Sequence, residues 1–198
     1  MATLYDAKPR FQALLRPAVR ALAARGATAN GVTLAALGLS VAYGGAIAAT
    51  GSTTLLLGLP AVLGARMALN AADGMLTREH GQASPLGAKL NELGDVLSDA
   101  ALYLPLALVL SPAWPVVLAV LFGVLAEFAG VTAEVHDGRR RYDGPLGKAD
   151  RAALFAAAAV FHALLGLSPG AVLALFVLAA GASAVTVLNR SFGSPRHA

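Results

Sequence analysis

The 198-residue chain is 57% hydrophobic and 13% charged, about half the charged fraction of a soluble domain, and its mean hydropathy is +0.67. So little charge cannot wet a globular surface, which excludes an ordinary soluble fold and leaves lipid as the solvent for most of the chain. The absence of cysteine excludes disulfides, thiolate nucleophiles and Cys-bound metals.

In chain order, the first element is a basic, amphipathic segment over residues 1–28. Lys8, Arg10, Arg16, Arg20 and Arg25 alternate there with Phe11, Leu14, Leu15 and Leu22. It holds no apolar run of signal-peptide length and reads as a helix lying on a membrane surface, basic face toward anionic headgroups. A transmembrane domain follows over 29–192, with a short tail at 193–198. Its three uncharged stretches, 26–65, 100–126 and 152–189, are interrupted by the turn signals Gly51-Ser52-Thr53-Thr54, Ser111-Pro112-Ala113-Trp114-Pro115 and Ser168-Pro169-Gly170. Breaking there predicts six helices near 31–50, 54–78, 86–110, 115–136, 148–167 and 170–190, each about 20 residues or longer, as a span requires.

The three turns carry no Lys or Arg, and all fifteen basic residues, Arg190 and Arg196 included, lie toward the opposite helix ends. The positive-inside rule then places both termini in the cytoplasm of a multi-pass inner-membrane protein. Trp114 and Tyr103 are expected as outer-interface anchors. The same rule accounts for the formal net charge of +4, and no basic, aromatic-interleaved domain argues for nucleic acid.

Acids stand where the hydrocarbon makes them expensive: Asp73 in the second predicted helix, Asp95 and Asp99 in the third, Glu127 and Glu134 in the fourth. Asn70 and Asp73 are three apart and share a face, as do Asn91, Asp95 and Asp99, spaced by four. Two facing helices thus offer short oxygen side chains to one another. Oxygen-only ligation suits hard divalent cations rather than zinc, and a Mg²⁺ site with few carboxylates completes its shell with water and substrate phosphate. Arg78 adds a planar fork for phosphate, and Gly74 and Gly87 are small where a group could approach the backbone. Helix packing is the competing reading for both glycines, and for Gly44, Gly45 and Gly181.

The run Asn70-x2-Asp73-Gly74-x2-Thr77-Arg78-x8-Gly87-x3-Asn91-x3-Asp95 resembles the pattern of the CDP-alcohol phosphotransferase family, D-x2-D-G-x2-A-R-x8-G-x3-D-x3-D, at every spacing. The resemblance implies a six-helix bundle with the site near the inner interface, often dimeric. It implies Mg²⁺ or Mn²⁺ held by Asp73, Asp95, Asn70 and Asn91 on the diphosphate of a CDP-diacylglycerol-like lipid. Asp95 would then be the base toward a hydroxyl acceptor, CMP the leaving group, and Gly74, Arg78, Gly87 and Asn91 part of the CDP-lipid site. Asn30 and Thr33 match a polar pair found before the first span in the family. Asn at positions 70 and 91 departs from the pattern and removes two charges. Three readings follow: one metal instead of two, replacement by Glu92 or Asp99, or a non-catalytic protein that binds CDP-lipid or scaffolds a complex.

The longest inner connection, 139–151, carries an Arg triplet that the positive-inside effect explains. Gly147-Lys148-x2-Arg151 sits where a helix begins, a favourable place for phosphate, and related enzymes have a Gly-Lys segment near the acceptor pocket. Lys148 and Arg151 are therefore candidates for the headgroup. Glu127 and Glu134 are expected to pair with Arg66 or Arg78, or to line the acceptor pocket. His80 and His136 read as surface groups.

Overall fold

The computed structural model describes residues 4–193, with side chains from residue 11 onward; the side chains of Lys8 and Arg10, and Arg196 with the rest of the tail, lie outside the described residues. Among the described residues seven α-helices follow one another: α1 (Leu4–Ala24), α2 (Ala29–Thr50), α3 (Thr53–Glu79), α4 (Pro85–Tyr103), α5 (Ala113–Asp137), α6 (Lys148–Leu165) and α7 (Pro169–Phe192). Among the described residues there is no strand. Four of these helices, α2, α3, α5 and α7, are long and apolar enough to cross a membrane.

The turns form where the sequence marks them. Gly51 (φ +59°) and Gly166 (φ +67°) adopt the left-handed conformation that glycine takes without steric cost. Ser168 accepts a hydrogen bond from the Ala171 amide (3.3 Å) and so caps α7, with Pro169 in its first turn. The helix predicted over 86–110 is the exception. It is α-helical only to Tyr103 and continues as a 3-10 turn over Leu104–Leu108. Pro105, near the start of that turn, has no N–H to donate and its ring would clash with the carbonyl four residues back.

The chain divides into two compact units, 1–42 with 61–98 and 43–60 with 99–198. In the first, Val19 of α1 is buried with Val32, Ala72, Met75 and Leu76, and Leu15, Ala23 and Leu69 pack against them. Leu15, Val19 and Ala23 are four apart, so one stripe of α1 is buried on protein, while Leu14 remains exposed. Arg16 donates two hydrogen bonds to Glu79 (3.1 and 3.0 Å), tying α1 to the end of α3.

In the second unit α5 packs along α7. Tyr103 is buried and stacks on Phe155 with centroids 4.2 Å apart, and Phe155 meets Phe176 at 5.2 Å. Tyr103 is therefore a core residue and not an interface anchor, because its ring finds an aromatic partner inside the unit; Trp114 is exposed. The Tyr43 hydroxyl donates to the Leu55 carbonyl across the Gly51 turn.

Of the glycines read as packing residues, Gly44 is one. A Cβ there would lie 1.8 Å from the Ala101 carbonyl oxygen, whereas nothing lies within 4 Å of one at Gly45 or Gly181. Gly44→Ala is expected to lower the melting temperature in detergent, losing roughly 1–3 kcal/mol as overpacked sites do. Gly45→Ala should be neutral or slightly stabilising, since alanine is the better helix former. Equal melting of the two variants would contradict this packing.

Candidate functional site

The acids of the motif lie in the first unit on α3 and α4. Asp73 is 5% exposed, and the Thr33 hydroxyl on α2 sits 2.9 Å from its Oδ2 and 3.1 Å from the Ala29 carbonyl. The Asn30-x2-Thr33 pair thus serves the site directly: Thr33 orients Asp73, and Asn30 packs against Gly87, where a Cβ would meet its Oδ1 at 2.8 Å and Ser84 Oγ at 2.9 Å. At Gly74 a Cβ would lie 3.1 Å from both terminal nitrogens of Arg78. Gly74 leaves room for the Arg78 guanidinium to fold back along the helix.

Asp95, on α4, is drawn to α3. Asn70 Nδ2 donates to its Oδ1 at 2.6 Å, and Arg66 Nη2 lies 3.3 Å from the same oxygen and 2.9 Å from the Asp95 carbonyl. The Arg66 side chain is 5% exposed and that of Asp95 21%. Within the first unit Arg66 is thus a partner of Asp95. Asn91 and Glu92 are half-buried on α4, and Asp99, in the second unit, is buried.

Among the described residues no three His, Cys, Asp or Glu side chains converge as a metal cluster would. The donors that could hold a cation are the carboxylates of Asp73 and Asp95 and the amide oxygens of Asn70 and Asn91. All are hard oxygen ligands, the chemistry Mg²⁺ or Mn²⁺ requires.

A second charged cluster lies wholly in the second unit. Glu127 is buried in α5, where its Oε1 accepts from Arg151 (2.6 Å) and Arg190 (3.5 Å) and its Oε2 from Arg140 (3.3 Å). Glu127 thus has Arg151, Arg190 and Arg140 as partners within its own unit, and Glu134 is exposed. Arg151 reaches Glu127 past Gly123, where a Cβ would sit 3.1 Å from its Cδ and Nε. Lys148, half-buried, opens α6, and the Gly147 amide donates to Asp150 Oδ2 (3.0 Å). Arg190 also donates to the carbonyls of Ala126 (2.7 Å), Asp143 (3.2 Å) and Tyr142 (3.4 Å). Thr186 accepts from the Leu146 amide (3.1 Å), and Arg141 donates to the Gly193 carbonyl. The basic loop is thereby fastened to α5 and α7. His80 and His136 are exposed.

Within that loop Arg141 grips Asp143 through two hydrogen bonds (3.0 and 2.7 Å), and these hold the Asp143 carboxyl below the usual carboxylate range. A carboxyl lowered by folding adds stability above its unfolded pKa of about 3.9, and that stability is lost as pH falls through the folded value. Asp143 is 39% exposed, so solvent screening limits the effect to about 1 kcal/mol or less. Amide protection across 139–147, taken relative to the intrinsic exchange rate at each pH, should fall as pH drops below about 4, and Asp143→Asn should abolish that fall.

Glu127→Gln keeps the shape but removes the negative charge that Arg151, Arg190 and Arg140 share. Removing one side of a buried ion pair costs about 3–5 kcal/mol. The variant should melt markedly lower and expose 139–147 to exchange; wild-type melting would show that Glu127 does not hold the cluster together.

No family model matches the chain. In fold it is similar to the phosphatidylinositol phosphate synthase PgsA1 of Mycobacterium tuberculosis. Against the structure of that protein with CDP-DAG bound, the TM-score is 0.75 at 23% identity, over 91% of this chain and 94% of the other. Against its complex with manganese and citrate, the TM-score is 0.74 at 23% identity, over 91% and 90%. In sequence the chain is 52% identical over 154 residues, 77% of each chain, to the inner membrane protein YnbA of Escherichia coli (strain K12). With this identity over most of both chains, and with several apolar helices of spanning length, the chain belongs to the family of the inner membrane protein YnbA.

Proposed function

We propose that this protein is a CDP-alcohol phosphotransferase of the inner membrane. It would move a phosphatidyl group from CDP-diacylglycerol or a similar CDP-lipid to a hydroxyl acceptor, releasing CMP. The observation that carries the proposal is the held pair of acids: Asp73 fixed by Thr33 and Asp95 fixed by Asn70 and Arg66, at motif spacing. The fold supports it, since a protein of the same fold has been solved with CDP-DAG and with manganese.

In this reading Asp73 and Asp95, with Asn70 and Asn91, hold Mg²⁺ or Mn²⁺, and Gly74, Arg78, Gly87 and Asn91 bind the CDP moiety. A bound divalent cation would offset the charge of the diphosphate and of the departing CMP. The acceptor oxygen attacks the lipid-side phosphorus, its proton passes to Asp95, and the bond from that phosphorus to the bridging oxygen breaks, the electron pair leaving with CMP. Positioning and electrostatics carry such a transfer. Lys148, in the first turn of α6, and Arg151, held by Glu127, are the headgroup candidates. We further read α4 and α6 as additional spans, giving six, with α1 along the inner surface, both termini and the site cytoplasmic, and the protein a homodimer.

A second reading is favoured by Asn at positions 70 and 91: a non-catalytic protein that binds CDP-lipid or scaffolds a membrane complex. Purified protein in detergent should release CMP from CDP-diacylglycerol with Mg²⁺ or Mn²⁺ and one of a panel of alcohols. Asp73→Ala and Asp95→Ala should each lower that rate at least about 100-fold, the scale of losing a positioned acid–base or charge-stabilising group. Binding of the CDP-lipid without CMP under any acceptor would favour the second reading.

A further inference from the structure

We propose that Arg66 takes the place of a second metal ion, so that the site between α3 and α4 holds one divalent cation per chain. The inference rests on the transferase reading above and concerns how its site is charged.

The four-acid pattern carries four negative charges, enough to neutralise two divalent cations. Here the pattern keeps two carboxylates, Asp73 and Asp95, and Arg66 brings a guanidinium to 3.3 Å from Asp95. The net charge of these three groups is −1. One divalent cation brings it to +1 and two would bring it to +3, a charge that buried surroundings solvate poorly. The geometry agrees with the count. Asp95 Oδ1 already accepts from Asn70 at 2.6 Å and from Arg66, so the oxygen best placed between the helices is occupied by donors. An ionised carboxylate only accepts, so it is the Asn70 nitrogen that faces Asp95. A second cation bound to Asp95 Oδ1 would have to displace both groups. Arg66 is built for a permanent stay: it is buried, and its Nη2 also reaches the Asp95 carbonyl at 2.9 Å. A guanidinium keeps its charge at every working pH, so it supplies one fixed positive charge where metal binding would supply two.

The test counts ions directly. Detergent-solubilised wild-type protein is titrated with Mn²⁺, and free Mn²⁺ is read by electron paramagnetic resonance, with CMP release from CDP-diacylglycerol measured in parallel. One Mn²⁺ per chain is expected. Arg66→Gln should bind that ion roughly tenfold tighter or more, since a like charge nearby is removed. Asn70→Asp with Asn91→Asp takes these groups to −3, which two ions bring to the same +1 as wild type with one, so the double variant should admit a second ion, and adding Arg66→Met should tighten that second ion roughly tenfold or more. Should the triple variant fail to elute as a single species, the wild-type count and the Arg66→Gln affinity decide. Two ions in wild-type protein, or an unchanged Mn²⁺ affinity in Arg66→Gln, overturns the role of Arg66, and CMP release alongside leaves the transferase reading standing. No bound Mn²⁺ and no CMP from wild-type protein removes the transferase reading and this inference together.

Discussion

A carboxylate in a helix that water does not reach must meet a cation or give up its charge, and both units of this protein are arranged around that demand. In the first, Asp95 is met by Arg66 and Asn70 from α3. In the second, Glu127 is met by Arg151, Arg190 and Arg140 from α6, α7 and the loop. These contacts set the register of neighbouring helices more sharply than apolar packing does. In a lipid setting apolar side chains gain little by choosing protein over hydrocarbon. An ion pair at 2.6 Å, by contrast, tolerates little sliding. Where apolar packing does specify an approach it works through small residues, as when Gly44 lets the Ala101 carbonyl come close.

The connections are fastened by the same kind of bond. Gln82 accepts from the Ala29 amide at 2.6 Å and donates to the Ala27 carbonyl at 3.2 Å. The loop after α3 thereby closes over the start of α2, satisfying an amide that a helix N-terminus leaves open. Thr28 caps the same turn through the Gly31 amide at 3.0 Å. One turn further along α2 comes Thr33, on Asp73. The path from the 80–84 loop through the start of α2 to the motif is therefore continuous, and Asp73 inherits its position from a helix terminus that is itself held in place. Arg16 on Glu79 adds a bond to the outside of this unit, exposed on both sides and worth little on its own. Its use lies in keeping α1 against the end of α3.

The helices were legible in the sequence because span length and charge-free stretches are properties of single segments. The turns at Gly51 and Ser168 were legible for the same reason. Thr33 was visible only as half of a polar pair before the first span, its contact with Asp73 coming from the fold, and the motif acids were visible as a pattern of fixed offsets. What escaped was pairing over distance. Arg190 lies 63 residues from Glu127 and Arg66 lies 29 from Asp95, and no local rule says which arginine meets which acid when several are available. Tyr103 was misplaced because an aromatic near a span end fits both a membrane interface and a core; only the packing of Phe155 against it decides. The early end of α4 had a signal in Pro105, which the charge-free run around it concealed.

Asn70 shows why a nearly isosteric replacement is not a weakened copy. Read from sequence, Asn in an Asp position offers one carbonyl oxygen and lacks a charge. In the fold it is the amide nitrogen that meets Asp95, at 2.6 Å. Aspartate could not make that contact while ionised, since two acceptor-only groups at such a distance repel unless a cation or a shared proton lies between them. In the proposed transferase reading the replacement changes the logic of the site: a pair of acids that would need a cation to coexist becomes a donor and an acceptor that hold each other. Arg66 extends the change by bringing a permanent charge to the same oxygen. The helices α3 and α4 are thereby joined within this unit by Asn70, Arg66 and Asp95, side chains of the chain itself.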